Sequence, residues 1–97
     1  MTDASGPAVR ARISVSGRVQ GVGYRAFTVR VASERGLVGG VRNCEDGRVE
    51  LEAEGSKEKI MSLIEALKVG PPACRVTEVR VEWVQAKGRQ AEFSVWY

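Results

Sequence analysis

Arg48-Val49-Glu50-Leu51-Glu52-Ala53-Glu54, followed by Gly55-Ser56, is the stretch whose reading decides the fold. Apolar and charged residues alternate strictly, so Val49, Leu51 and Ala53 share one face and the three glutamates the other, the period of a strand with one dry and one wet side. Just upstream, Cys44-Glu45-Asp46-Gly47 supplies a turn with Asp-Gly at its end. Leu37 to Asn43 then reads as the partner strand of a hairpin, although Gly39 and Gly40 weaken its propensity. Downstream, Gly55-Ser56 is a break and a helix N-cap, Ile60, Leu63, Ile64 and Leu67 mark an amphipathic helix, and Gly70-Pro71-Pro72 ends it.

Further out, Val9, Ala11, Ile13 and Val15 alternate with Arg10, Arg12 and Ser14, which predicts a half-buried strand. Tyr24, Phe27, Thr28 and Val31 fall on one side of a helix expected to reach about Arg35 and to stop at Gly36. Val79, Val81 and Trp83 alternate with Glu78, Arg80 and Glu82, and Lys87-Gly88 is expected to turn the chain into Ala91, Phe93, Val95 and Tyr97 as a second hairpin. Tyr24, Phe27, Trp83 and Phe93 are assigned to the core. The order strand, helix, strand, strand, helix, strand, plus one further strand, predicts an α+β sandwich with both helices on one face of an antiparallel sheet. Residues 1–7 are expected to form a flexible end and residues 8–97 one domain.

The chain has 97 residues, a net charge of +3 and a pI near 9.2, with basic residues dispersed among acids rather than clustered. Anionic small molecules suit that balance better than nucleic acid does. No histidine is present, which removes Ser-His-Asp and Cys-His nucleophiles, phosphohistidine chemistry and the usual zinc sites. Cys44 and Cys74 have no metal-ligand spacing and read as reduced thiols without a role, a disulfide between them being the alternative the sequence leaves open. Reduced thiols lead to the expectation of a cytoplasmic protein, no apolar run approaches a membrane span, and a monomer is the default for this size.

Between the first strand and first helix lies Ser16-Gly17-Arg18-Val19-Gln20-Gly21-Val22-Gly23-Tyr24-Arg25. Its glycines allow positive φ and bring amides close to a ligand. The helix start adds unpaired N–H groups and the positive end of the macrodipole, and Arg25 adds a planar fork of donors. An oxygen-rich anion, phosphate or carboxylate, is the expected guest. The Gly-Lys-Ser/Thr ending of a Walker loop and the Gly-x-Gly-x-x-Gly dinucleotide fingerprint are both missing.

Gly17 to Arg25, then Gly36-Leu37-Val38-Gly39, Val41-Arg42-Asn43 and Asp46-Gly47-x-Val49-Glu50, together resemble the signatures of the acylphosphatase family. The resemblance runs from the first strand through Gly70-Pro71-Pro72 to Glu82-Trp83. It implies a ferredoxin-like fold and hydrolysis of the carboxyl-phosphate anhydride of acyl phosphates, without metal or cofactor. Arg25 and Asn43, on which the family relies, are both in place. Gly40 stands where most relatives carry Trp, a departure that bears on packing more than on chemistry. Tyr24 stands where relatives often have Phe.

The residues support that chemistry when read independently, although Arg25 taken alone would also suit a solvated first turn of a helix and Asn43 taken alone a turn. Amides of Gln20, Gly21, Val22, Gly23 and Tyr24, with the Arg25 guanidinium, can cradle a phosphate through charge-assisted bonds. Asn43 carries both a donor and an acceptor with which to orient the attacking water. An anhydride has a good leaving group, so positioning and electrostatics suffice without a strong base. Inorganic phosphate or sulfate should bind as a product-like ligand. The side chains of Arg18 and Gln20 are expected to shape the loop, and Asp46 to make the turn. The rival reading of an RNA-recognition module needs aromatics on the open sheet face, where Arg10, Arg12, Ser14, Arg48, Glu50, Glu52 and Glu54 stand instead. A second rival is an anion-binding module working inside a larger maturation protein, and turnover by the isolated chain separates the two.

Overall fold

The computed structural model describes residues 7–88 and 90–96. In chain order the elements are β1 (Val9–Arg18), α1 (Tyr24–Glu34), β2 (Val38–Asn43), β3 (Val49–Gly55), α2 (Lys57–Val69), β4 (Arg75–Val84) and β5 (Phe93–Val95). The strands form one sheet in the order β4-β1-β3-β2-β5, with the strictly alternating strand β3 at its centre. Both helices pack on the face that carries Ala11, Ile13, Val15, Val41, Leu51 and Ala53. Those residues, with Ile60, Leu63 and Leu67 of α2 and Val31 and Ala32 of α1, are no more than 5% exposed and make the core. The two-layer α+β sandwich is the one expected.

Local rules fix the helix ends. Ser56 is extended and its Oγ accepts a hydrogen bond from the Lys59 amide at 3.2 Å, while Gly70, at φ 68°, terminates α2. Helix α1 closes with the Arg35 and Gly36 amides bonded to the Ala32 and Ser33 carbonyls.

Three expectations are corrected. β5 does not form a hairpin with β4: it crosses to the opposite edge and pairs parallel to β2, with Val41 beside Val95, so the sheet is mixed. Its alternation was legible, but a pattern of alternation carries no information about which edge a strand joins; Tyr97 lies outside the described residues. Trp83 is not core. β4 is an edge strand only partly covered by α2, which leaves the Trp83 ring 44% exposed with the Lys57 ammonium 5.6 Å from its centroid.

The third correction concerns the wet face of β1 and β3, which is dry at one end. Arg10 is 1% exposed and Glu54 5%, because the connection from β4 to β5 passes over them. Arg10 Nε donates to Glu52 Oε1 at 2.6 Å, and its Nη1 donates to Glu54 Oε1 and Gln90 Oε1, each at 3.0 Å. Glu54 in turn accepts the backbone amides of Lys87 and Gly88 at 2.7 and 2.8 Å. A buried ion cluster thus fastens the crossing segment that delivers β5 to its edge.

Gly40 has a spatial explanation. The Trp96 indole, just past β5, lies against it, and a Cβ on Gly40 would land on that ring. The Trp96 amide donates to the Val41 carbonyl at 2.7 Å and holds the ring there. An aromatic covers this part of the sheet, supplied from residue 96 rather than residue 40.

Candidate active site

β1 and β2 are each antiparallel to β3, so they run in the same direction, and β5 runs parallel to β2. Their C-terminal ends therefore meet at one end of the sheet. This places the loop after Arg18, the β2 terminus at Asn43, and Val95 together, with the first turn of α1 beside them. They line one cleft of about 300 Å³, with Val19, Gly21, Gly23, Tyr24, Arg25, Asn43 and Val95 in its wall.

The loop is rooted at both ends. Val19 is 1% exposed, sunk into the core. Tyr24 is equally buried, and its hydroxyl donates to the Leu67 carbonyl at 2.6 Å, tying the start of α1 to the end of α2. Burial pushes that hydroxyl's pKa up, and nearby Cys74 adds to the shift, so it stays a donor. The hydroxyl that distinguishes Tyr24 from Phe thus has a partner.

Gly21 and Gly23 have φ of 75° and 80°, and a Cβ on either would meet nothing within 4 Å. Glycine is needed there for the left-handed backbone rather than for room. Gly23 is the N-cap of α1, offers no side-chain cap, and is followed by a first turn without an acidic residue. The free amides of that turn keep their attraction for an anion.

Arg25 is half-buried in the cleft wall. Arg10, Arg12, Arg30, Arg42, Arg48 and Arg80 each have a carboxylate partner, whereas among the described residues no ion pair engages Arg25. Asn43 lines the same cleft, and its buried Oδ1 has no hydrogen-bond partner among the described residues. An orphaned buried amide oxygen costs roughly 1–3 kcal/mol, a cost that a ligand or an oriented water removes. Among the described residues, an arginine without an ion pair and an asparagine whose amide oxygen has no donor thus line one cleft.

The Gln20 side chain does not enter the cleft. Its amide nitrogen donates to the Cys44 and Arg48 carbonyls at 2.7 and 2.9 Å, joining the loop to the β2–β3 turn. Neither this link nor the presence of Val95 could be read from the sequence: the first depends on a turn far along the chain, the second on the edge β5 chooses. Asp46 serves the turn, accepting from the Arg48 amide and guanidinium. Cys44 and Cys74 are unpaired and half-buried. A second groove, about 390 Å³ on the open sheet face, is lined by Arg12, Arg42, Glu50, Glu52 and Trp96, but its charges pair with one another. Among the described residues no group of three or more Cys, Asp or Glu is placed to hold a metal ion, and no helix is long and apolar enough to cross a membrane.

Comparison with known proteins bears on this cleft. The family profile described as acylphosphatase matches residues 11–95. An acylphosphatase of Methylococcus capsulatus is 50% identical over 86 residues, covering 89% of this chain and 94% of that one. The crystal structure of acylphosphatase from Bacillus subtilis superposes with a TM-score of 0.89 at 43% identity, covering 92% of this chain and 99% of the other. Full-length HypF, in a phosphate- and nucleotide-bound form, matches with a TM-score of 0.82 at 26% identity over 94% of this chain but 12% of its own. A match extending from β1 through β5, in both sequence and fold, leaves one assignment: the chain belongs to the acylphosphatase family.

Proposed function

We propose that this protein hydrolyses the carboxyl-phosphate anhydride of acyl phosphates to a carboxylate and inorganic phosphate, in the cleft between the glycine loop and Asn43. The observation that carries the proposal is that Asn43, whose buried Oδ1 has no hydrogen-bond partner among the described residues, lines the same cleft as Arg25, which no ion pair among those residues engages. Amides of residues 20–24 and the Arg25 fork take the phosphoryl oxygens, which leaves the phosphorus fixed and its negative charge compensated. Asn43 holds the attacking water by accepting a hydrogen bond from it. As the water oxygen bonds to phosphorus, the bond from phosphorus to the anhydride oxygen breaks and the carboxylate leaves with that electron pair. The water proton passes to an oxygen of the substrate itself, so no histidine or metal-bound hydroxide is called for.

Val19 and Val95 give the cleft an apolar margin suited to the acyl part of a small diffusible substrate. Nucleic acid is not proposed as a partner, since the open face is occupied by mutually paired charges. The test is phosphate release from benzoyl phosphate, with phosphomonoesters as controls and EDTA present throughout. Turnover of the anhydride alone, undiminished by EDTA, is the expected result. Activity lost on chelation and restored by a divalent ion would overturn the metal-free mechanism.

A further inference from the structure

We propose that Gln20 is a positioning residue for this reaction: its amide nitrogen sets the separation between the anion loop and Asn43. The inference rests on the functional reading above. The nitrogen donates to two carbonyl oxygens, of Cys44 at 2.7 Å and of Arg48 at 2.9 Å, which uses both of its N–H bonds. Cys44 immediately follows Asn43, and Gly21 immediately follows Gln20. The link therefore lies one residue from each half of the cleft.

Gln20 is not what closes the turn. The Cys44 amide donates to the Arg48 carbonyl at 2.9 Å, and the Gly47 amide donates to the Cys44 carbonyl at 3.2 Å. Both carbonyls keep a backbone partner when Gln20 is removed, so no buried acceptor is orphaned. What would be lost is registration. β1 and β2 are not neighbours, because β3 lies between them, so no ladder bond joins their ends. Among the described residues no backbone hydrogen bond links the loop 19–23 to the turn 44–48. Among the described residues, the hydrogen bonds between the two halves are those of this side chain. In-line attack needs the reacting atoms at about 3–3.5 Å, and a misplacement of about 1 Å costs on the order of 100-fold in rate.

The experiment replaces Gln20 with Met, which has similar length and no donor, and measures kcat and KM for benzoyl phosphate, competitive Ki for inorganic phosphate, and Tm. Expected is a fall in kcat of about 10–100-fold with phosphate Ki unchanged within about threefold, since the cradle is intact and only its distance from Asn43 has drifted. In an Asn43→Ala background the same substitution should cost less than about threefold, because its effect runs through Asn43. Should Gln20→Met fold poorly, Gln20→Asn, one methylene short of both carbonyls, carries the same measurements. With wild type active, three results overturn the proposal alone: an unchanged kcat, a Ki that weakens in step with kcat, or an undiminished loss in the Asn43→Ala background. An inactive wild type overturns the functional reading and this proposal with it.

Discussion

Arg10→Met should destabilise the fold far more than a substitution at an outward-facing strand position normally does. Arg10 is 1% exposed and donates to Glu52, Glu54 and Gln90 at 2.6, 3.0 and 3.0 Å. Removing one partner of a buried ion pair costs about 3–5 kcal/mol, chiefly because the other charge is left without compensation. Here Glu54 would retain the Lys87 and Gly88 amides, and Glu52 is 16% exposed and within 3.8 Å of the Lys87 ammonium, so the low end applies. About 3 kcal/mol, at about 4–8 °C per kcal/mol for a domain of this size, lowers Tm by roughly 12–24 °C. Thermal melts and urea titrations of both proteins measure it.

The sign of the pH dependence follows from the same cluster. Burial pushes the Glu54 carboxyl up, but the Lys87 amide, the Arg10 guanidinium and the Gly88 amide outweigh it and hold the carboxyl below its ordinary value. Burial is likewise outweighed at Glu52 by Arg10, through a hydrogen bond and its charge. A depressed folded pKa gives stability that is complete above the unfolded value and is lost as pH falls through the folded one. The gap between wild type and Arg10→Met should therefore be widest near neutrality and narrow below about pH 4. A variant within about 1 kcal/mol of wild type at pH 7, or a gap that does not narrow in acid, would refute the cluster's role.

Two further outcomes follow from particular contacts. Gly40→Trp alone should destabilise, because its Cβ meets the Trp96 ring, and Trp96→Gly alone should cost about 1–2 kcal/mol of apolar burial, whereas the double variant should recover most of both losses; additive effects in urea titrations would deny that the two positions share one space. Inorganic phosphate should raise the Tm of wild type saturably, by an amount equivalent to about 2.7 kcal/mol at one hundred times Kd, and Arg25→Ala should keep only the shallow general salt effect; identical titrations would place the anion elsewhere.

Much of the fold is written locally. Val49, Leu51 and Ala53 face the core as their spacing requires, and Ser56 and Gly70 bound α2 as capping chemistry demands. What the sequence hides depends on the path of one connection. The period of β1 and β3 points Arg10 and Glu54 outward, and so they are, but the segment before β5 lies over them and excludes water. The period of β4 points Trp83 inward, yet an edge position leaves it half uncovered. The cleft shows the same division. Gly21, Gly23, Tyr24, Arg25 and Asn43 could be singled out from loop chemistry and signature spacing, and the cleft brings them together. Val95 could not, because a short strand says nothing of its edge, nor could the contacts of Gln20, whose acceptors belong to a distant turn.

The most direct test is steady-state turnover of benzoyl phosphate by Asn43→Ala beside wild type, with phosphate inhibition measured on both. If the partnerless Asn43 oxygen holds the attacking water, kcat should fall by about 100-fold or more, with KM and phosphate Ki within about threefold, since the cradle is untouched. An Asn43→Ala protein that turns over benzoyl phosphate at a rate near wild type would contradict the account.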